Sequence, residues 1–148
     1  MATNGCLICE RVALWRQGRN PYFIAEFKRS IFVVGDHQFH RGYGLVLLKE
    51  HVAELHELPP DAQVELFQEV MRAGRTLVKV FRPWKMNYSC YGNAEPHVHW
   101  HLFPRYEDDP DRRRNPWLHS AEFKEHRICM GTARRMAEEL TTALQNTP

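Results

Sequence analysis

At 148 residues, with 43% hydrophobic content that includes eight Phe, five Tyr and four Trp, the chain is sized for one domain with a single real core. Its 20 basic and 18 acidic side chains are mixed along the sequence and leave a formal charge of only +2, which excludes a global field that would draw in nucleic acid or a membrane surface. No apolar run approaches a membrane span and no basic-then-apolar leader opens the sequence, so a soluble cytoplasmic protein is expected.

Cys6 and Cys9 are separated by two residues, a spacing that suits a metal clip, free thiols or redox chemistry. Residues from about Ile8 to Gln17 read as a short helix, stopped by Gly18 and Asn20-Pro21. Tyr22 to Phe27 and Ile31 to Val34 are rich in aromatic and β-branched residues, and the polar Lys28-Arg29-Ser30 between them suggests a hairpin. Gly42-Tyr43-Gly44 then introduces Leu45-Val46-Leu47-Leu48, a nearly continuous apolar run expected of a strand covered on both faces.

Pro59-Pro60-Asp61 opens the clearest helix, in which Val64, Phe67, Met71, Val78 and Phe81 form the stripe expected to pack on a sheet. Pro83 ends it, because proline cannot donate the next helical hydrogen bond. Met86 to Cys90 makes another strand, Gly92 to Pro96 a tight turn, and His97 to Phe103 the last strand before Pro104. Glu107 to Pro116 reads as an exposed loop, where Arg112-Arg113-Arg114 are either neutralised by nearby acids or free to hold phosphate. Cys90 and Cys129 are expected to be ordinary buried thiols, and a final helix falls within Gly131 to Leu144. Strands grouped around one long helix with short connections predict an α+β domain: a mostly antiparallel sheet of about five strands, with a C-terminal helix.

Alternate side chains of a strand share a face, so His97, His99 and His101 line one side while Val98, Trp100 and Leu102 anchor the other. Such a row can bind a metal that activates water, or present one imidazole as a nucleophile toward phosphorus, since an ordinary imidazole is largely neutral at physiological pH. Imidazoles at the ends of the row stand roughly 13 Å apart at strand spacing, too far to share one ion easily, although two neighbours can.

Gly92-Asn93, Pro96, His97-Val98-His99-Trp100-His101-Leu102-Phe103 and Pro104-Arg105 together resemble the signature of the histidine-triad (HIT) nucleotide hydrolases and transferases. The likeness extends upstream to Cys6-Leu7-Ile8-Cys9 and to Tyr43-Gly44-Leu45-Val46-Leu47-Leu48-Lys49-Glu50-His51, which is similar to the family's strand ending in Lys-x-His. It spans roughly residues 5 to 105, which leaves 106–148 as a less typical C-terminal extension of a single HIT-like domain, 1–148.

The resemblance implies a nucleotide phosphoanhydride hydrolase of the dinucleoside polyphosphate kind, acting through a nucleotidyl-histidine intermediate on His99. A nucleoside phosphoramidase, or a nucleotide- or partner-binding module with little turnover, is the alternative. His101 would contact the phosphate or leaving group. In relatives with the N-terminal cysteine pair the first triad histidine is a zinc ligand, so Cys6, Cys9, His51 and His97 would close a structural zinc site, with no catalytic cofactor. Asp36 stands where relatives hold the ribose hydroxyls, and Asn93 where they carry a polar side chain facing the phosphate. Phe32 and Val34 are candidates for the apolar wall of the base pocket. Tyr43 departs from the many relatives that carry a histidine near this position. Glycine-rich phosphate cradles are missing, so phosphate recognition falls to the histidine strand, the turn before it, and Arg105 or the arginine run. The partners implied are a nucleotide or dinucleotide and a second copy in a homodimer, with neither nucleic acid nor membrane expected.

Overall fold

The computed structural model describes residues 5–148. In chain order the elements are α1 (Leu7–Arg16), β1 (Phe23–Glu26), β2 (Ser30–Val34), β3 (Gly44–Leu48), α2 (Pro60–Phe81), β4 (Lys85–Ser89), β5 (His99–Arg105) and α3 (Met130–Gln145). The five strands form one antiparallel sheet in the order β1-β2-β3-β5-β4, so the expected α+β architecture is present. β5 lies between β3 and β4 and is hydrogen-bonded on both sides, which fixes the direction in which its side chains project.

Both faces of the sheet are covered, and this is why every residue of β2 and β3 is buried. On one face Phe32, Val34, Val46, Leu48 and Leu102 pack beneath α2 and α3. On the other, Ile31, Val33, Leu45, Leu47 and Phe103 pack against Ile8, Cys9 and Val12 of α1 and against Phe123.

α1 is capped by Cys6, whose Sγ accepts from the Cys9 backbone N–H at 3.4 Å, and its end is turned by Gly18 at φ +66°. α2 opens with Pro60 in its first turn and closes at Arg82, which takes a left-handed conformation (φ 47°) immediately before Pro83. Its packed stripe differs from the expected one. Ala62, Leu66, Val70, Ala73, Leu77 and Phe81 are buried, whereas Val64, Phe67 and Val78 are 58%, 53% and 44% exposed. The helix turns its small residues inward because the sheet comes close: a Cβ at Gly74 would lie 2.4 Å from the Tyr88 hydroxyl.

Two further boundaries differ from expectation. The last strand begins at His99, because His97 leaves the ladder and bonds locally to the Glu95 carbonyl at 2.7 Å while Val98 donates to Val52. The segment after the polar loop is not featureless: Pro116–His126 is 3-10, kinked at His119, with Asn115 Oδ1 accepting from the Trp117 N–H at 3.1 Å. Cys129 is exposed at the start of α3, where it meets Thr132 Oγ1 at 3.3 Å, and Cys90 is only half-buried, so neither is the fully buried thiol expected. Among the described residues no helix is long and apolar enough to cross a membrane.

Candidate functional site

A cavity of about 610 Å³ opens over the face of the sheet that carries α1. Leu7, Ile8 and Arg11 of α1 wall one side, with Asp36 just beyond β2 and with Tyr43 and Leu45 at and near the start of β3. Tyr91, Asn93 and Trp117 wall the side toward β4. His99 and His101 of β5 line the cavity between these two walls.

Strand alternation supplies the two imidazoles. His99 pairs with Leu47 and His101 with Leu45 across the β3–β5 ladder, and their ring centroids lie 4.8 Å apart on the α1 side. Trp100 and Leu102 point the other way into the core beneath α2, so the opposed faces read from the sequence are present from His99 onward.

The hydrogen bonds around each ring differ. His99 Nδ1 donates to the His97 carbonyl at 2.6 Å, which puts the proton on Nδ1 and leaves Nε2 with a free lone pair. His101 Nδ1 lies 2.7 Å from the Tyr43 hydroxyl, and burial, with the neighbouring His99 and His37 acting against a further positive charge, holds its pKa down to about 3. Burial, reinforced by Asp36, raises the Tyr43 phenol well above its ordinary value, so it stays protonated.

Asp36 is held by Arg11, whose Nη2 lies 2.9 Å from Asp36 Oδ2. Burial alone would raise the carboxyl, but the charge and hydrogen bond of Arg11 outweigh it and keep Asp36 ionised below the usual carboxylate range. Asn93 sits exposed at the rim, just after Gly92, whose positive φ (+75°) makes the turn.

His97 does not join the row. It is fully buried and directed toward Cys6, Cys9 and His51. Its Nδ1 lies 3.5 Å from Cys6 Sγ, 3.4 Å from Cys9 Sγ and 3.3 Å from His51 Nδ1, while Cys9 Sγ is 3.3 Å from His51 Nδ1. Four donors joined to one zinc by bonds of about 2.0–2.3 Å at tetrahedral angles stand roughly 3.3–3.8 Å apart, which matches these separations. His97 Nε2 donates to the Leu48 carbonyl at 2.8 Å, so Nδ1 is the atom left bare for a metal. Burial lowers the His97 pKa, which also favours the neutral ligand form. The two thiols, the two imidazoles and this supporting hydrogen bond fit a zinc ion.

Three expected residues lie elsewhere. Phe32 is wholly buried beneath α2, and Val34 shares that face, so neither walls the cavity. In the strand Ile31, Phe32, Val33 and Val34 the alternation sends Ile31 and Val33 toward α1 and the other two away from it. Arg105 is 1% exposed and donates to Asp109 Oδ2 at 2.8 Å, Asn87 Oδ1 at 3.0 Å and the Arg114 carbonyl at 2.8 Å. It pins the following loop and does not face the cavity.

Sequence reasoning did not single out Arg11, Tyr91 or Trp117. Arg11 had a signal, because it falls three residues after Ile8 on the same helical face. Trp117 had a weaker one in Asn115-Pro116, a helix-start pair directly before it. Its indole Nε1 donates to Ser89 Oγ at 3.1 Å, and its ring meets His101 edge to face at 4.8 Å.

The sequence matches the model of the HIT domain family over residues 19–108. Among solved structures, a zinc-bound histidine triad family protein from Mycobacterium smegmatis superposes with a TM-score of 0.68 at 21% identity, over 96% of this chain and 94% of that one. A hypothetical histidine triad nucleotide-binding protein from Sulfolobus tokodaii gives 0.72 at 18% identity, over 93% of each chain. The diadenosine triphosphate hydrolase of Plasmodium falciparum gives 0.63 at 14% identity, over 85% of this chain and 78% of that one. At these identities the likeness is one of fold.

Proposed function

The chain belongs to the HIT domain family, and from that premise we propose that it hydrolyses a nucleotide phosphoanhydride, of the dinucleoside polyphosphate kind, through a nucleotidyl-histidine on His99. The observation that carries this reading is the state of His99: with Nδ1 committed to the His97 carbonyl, Nε2 offers its lone pair at the cavity wall. The diadenosine triphosphate hydrolase with the same fold supports the substrate class.

In the first step His99 Nε2 attacks phosphorus, an N–P bond forms, and the P–O bond to the leaving phosphate breaks with its electron pair on that oxygen. In the second, water attacks phosphorus, the N–P bond breaks and the electron pair returns to Nε2. The proton that water releases goes to solvent. Asp36, held ionised by Arg11, binds the ribose hydroxyls; Asn93 faces the phosphate; His101 hydrogen-bonds the oxygen on which charge develops. Ile8, Leu7 and Leu45 replace Phe32 as the apolar surface offered to the base.

Cys6, Cys9, His51 and His97 would hold a structural zinc, closed by four protein ligands and therefore without an open position for water. The zinc-bound relative supports this assignment. The exposed stripe Val64, Phe67 and Val78 lies on a helix whose sheet ends in the unpaired edge of β4, and we assign this side of the molecule to a two-fold homodimer. The chain acts as one unit in which residues 106–148 supply Trp117 to the site.

Turnover of a panel of adenosine and guanosine dinucleotides and nucleoside phosphoramidates tests the substrate class, and stereochemistry at phosphorus tests the mechanism. Two displacements give net retention at an isotopically labelled phosphorus. Inversion would mean direct attack by water and would rule His99 out as the nucleophile.

A further inference from the structure

We propose that Tyr43 is a positioning residue that fixes His101 as a neutral Nε2–H donor, so that the site favours a leaving group departing as a phosphate anion over one that departs as an amine. This rests on the nucleotidyl-histidine reading for its catalytic consequence. The tautomer itself does not.

The geometry admits two arrangements of the 2.7 Å contact between the Tyr43 hydroxyl and His101 Nδ1. If Nδ1 carried the proton, the phenol would accept and its own O–H would be left without a partner in a place only 4% exposed. If the phenol donates, its proton is satisfied and only a spare oxygen lone pair is left, which is the less costly state. Tyr43 therefore donates, Nδ1 accepts, and the imidazole proton sits on Nε2. His101 lines the cavity.

The surroundings hold Tyr43 to this task. Its ring stacks on Phe103 at 4.4 Å and on His37 at 4.6 Å. Gly35 admits it: a Cβ at that position would lie 2.1 Å from the tyrosine ring, so any other residue there would displace it. The backbone is tied down as well, with Gly35 N–H donating to the Tyr43 carbonyl at 2.8 Å and Gln38 Nε2 donating to the same oxygen at 2.9 Å.

A neutral Nε2–H can hydrogen-bond a charge but does not readily surrender its proton. A leaving phosphate needs only the hydrogen bond, because it carries the P–O electron pair away as a stable anion. An amine leaving group takes the P–N electron pair and must gain a proton, which His101 could supply only as an imidazolium. Burial opposes that imidazolium, as do the charges of His99 and His37 if they are protonated; Asp36 alone favours it. Trp117, edge-on to the ring, adds no charge.

The test uses the zinc-loaded full chain and its Tyr43→Phe variant. Long-range ¹H–¹⁵N NMR of the wild type should show His101 as a single neutral tautomer protonated on Nε2 from pH 5 to 8. In Tyr43→Phe the tautomers should mix. Wild-type kcat/KM should favour a nucleoside polyphosphate over the matching alkyl phosphoramidate, and Tyr43→Phe should lower anhydride kcat with little change in KM, narrowing that preference by about ten-fold or more. A wild-type His101 protonated on Nδ1, or a wild-type preference for the phosphoramidate, overturns the proposal. Turnover of neither substrate, with no trapped adduct, overturns the catalytic reading and the leaving-group preference together, while the NMR spectrum still decides the tautomer.

Discussion

Single side chains carry most of the chemistry, and their legibility followed from how strongly local pattern constrains them. The histidine row could be read because polar and apolar residues alternate through it, so the two faces declare themselves. Phe32 could not be placed in this way. Ile31, Phe32, Val33 and Val34 are all apolar because β2 is covered on both faces, and such a strand has no alternation to show which residue looks at a ligand. Arg105 looked like a phosphate ligand because it follows the triad, but hydrogen bonds to three partners commit its buried side chain to holding the loop that leads to Trp117. Replacing Arg105 by methionine leaves Asp109, whose side chain is 13% exposed, without its charged partner, and should cost about 3–5 kcal/mol in urea unfolding. A loss below about 1 kcal/mol would show that the cluster is dispensable.

Among the elements, the mostly antiparallel sheet and the long helix were foreseeable, but the face that the helix buries was not. α2 carries two apolar arcs, and Val64, Phe67 and Val78 mark the outer one. The inner arc includes Ala62, Ala73 and Gly74, whose small size lets the helix approach the sheet, and small residues give little hydrophobic signal. The 3-10 segment Pro116–His126 was hidden for a different reason, since Trp117, Leu118 and Phe123 follow no helical or strand period. The outer arc of α2 yields a prediction. Phe67→Glu should convert a dimer to a monomer in light scattering while leaving the melting temperature of the monomeric fold nearly unchanged, because Phe67 is 53% exposed. A wild-type protein that is monomeric at high concentration would remove the interface from α2.

Across the whole molecule, the cluster joins Cys6 just before α1, Cys9 in the first turn of α1, His51 just after β3 and His97 just before β5. The cysteine pair was visible from its spacing, but the ligands span 91 residues of chain, and no local rule links Cys6 to His97. In the sequence only the family resemblance makes that link; in the fold the four donor atoms lie within 4.8 Å of one another. Because the site adjoins the backbone carbonyl that orients His99, metal removal should loosen the fold and the attack geometry together. Chelation of the wild type, or Cys6→Ser, should lower zinc content and Tm in parallel, with even about 3 kcal/mol of lost stabilisation worth roughly 6–12 °C in a chain of this length. Unchanged metal content in Cys6→Ser would take Cys6 out of the site.

If His99 Nε2 forms a bond to phosphorus, that bond can be recovered during turnover. Rapid quenching of the zinc-loaded protein during turnover of a labelled dinucleotide, under non-acidic denaturing conditions, followed by peptide mass spectrometry, should recover one nucleotidyl group on the peptide bearing His99. His99→Ala should fold, retain its zinc, and show neither adduct nor turnover. An adduct on another residue, or wild-type turnover by His99→Ala, would exclude His99 as the nucleophile.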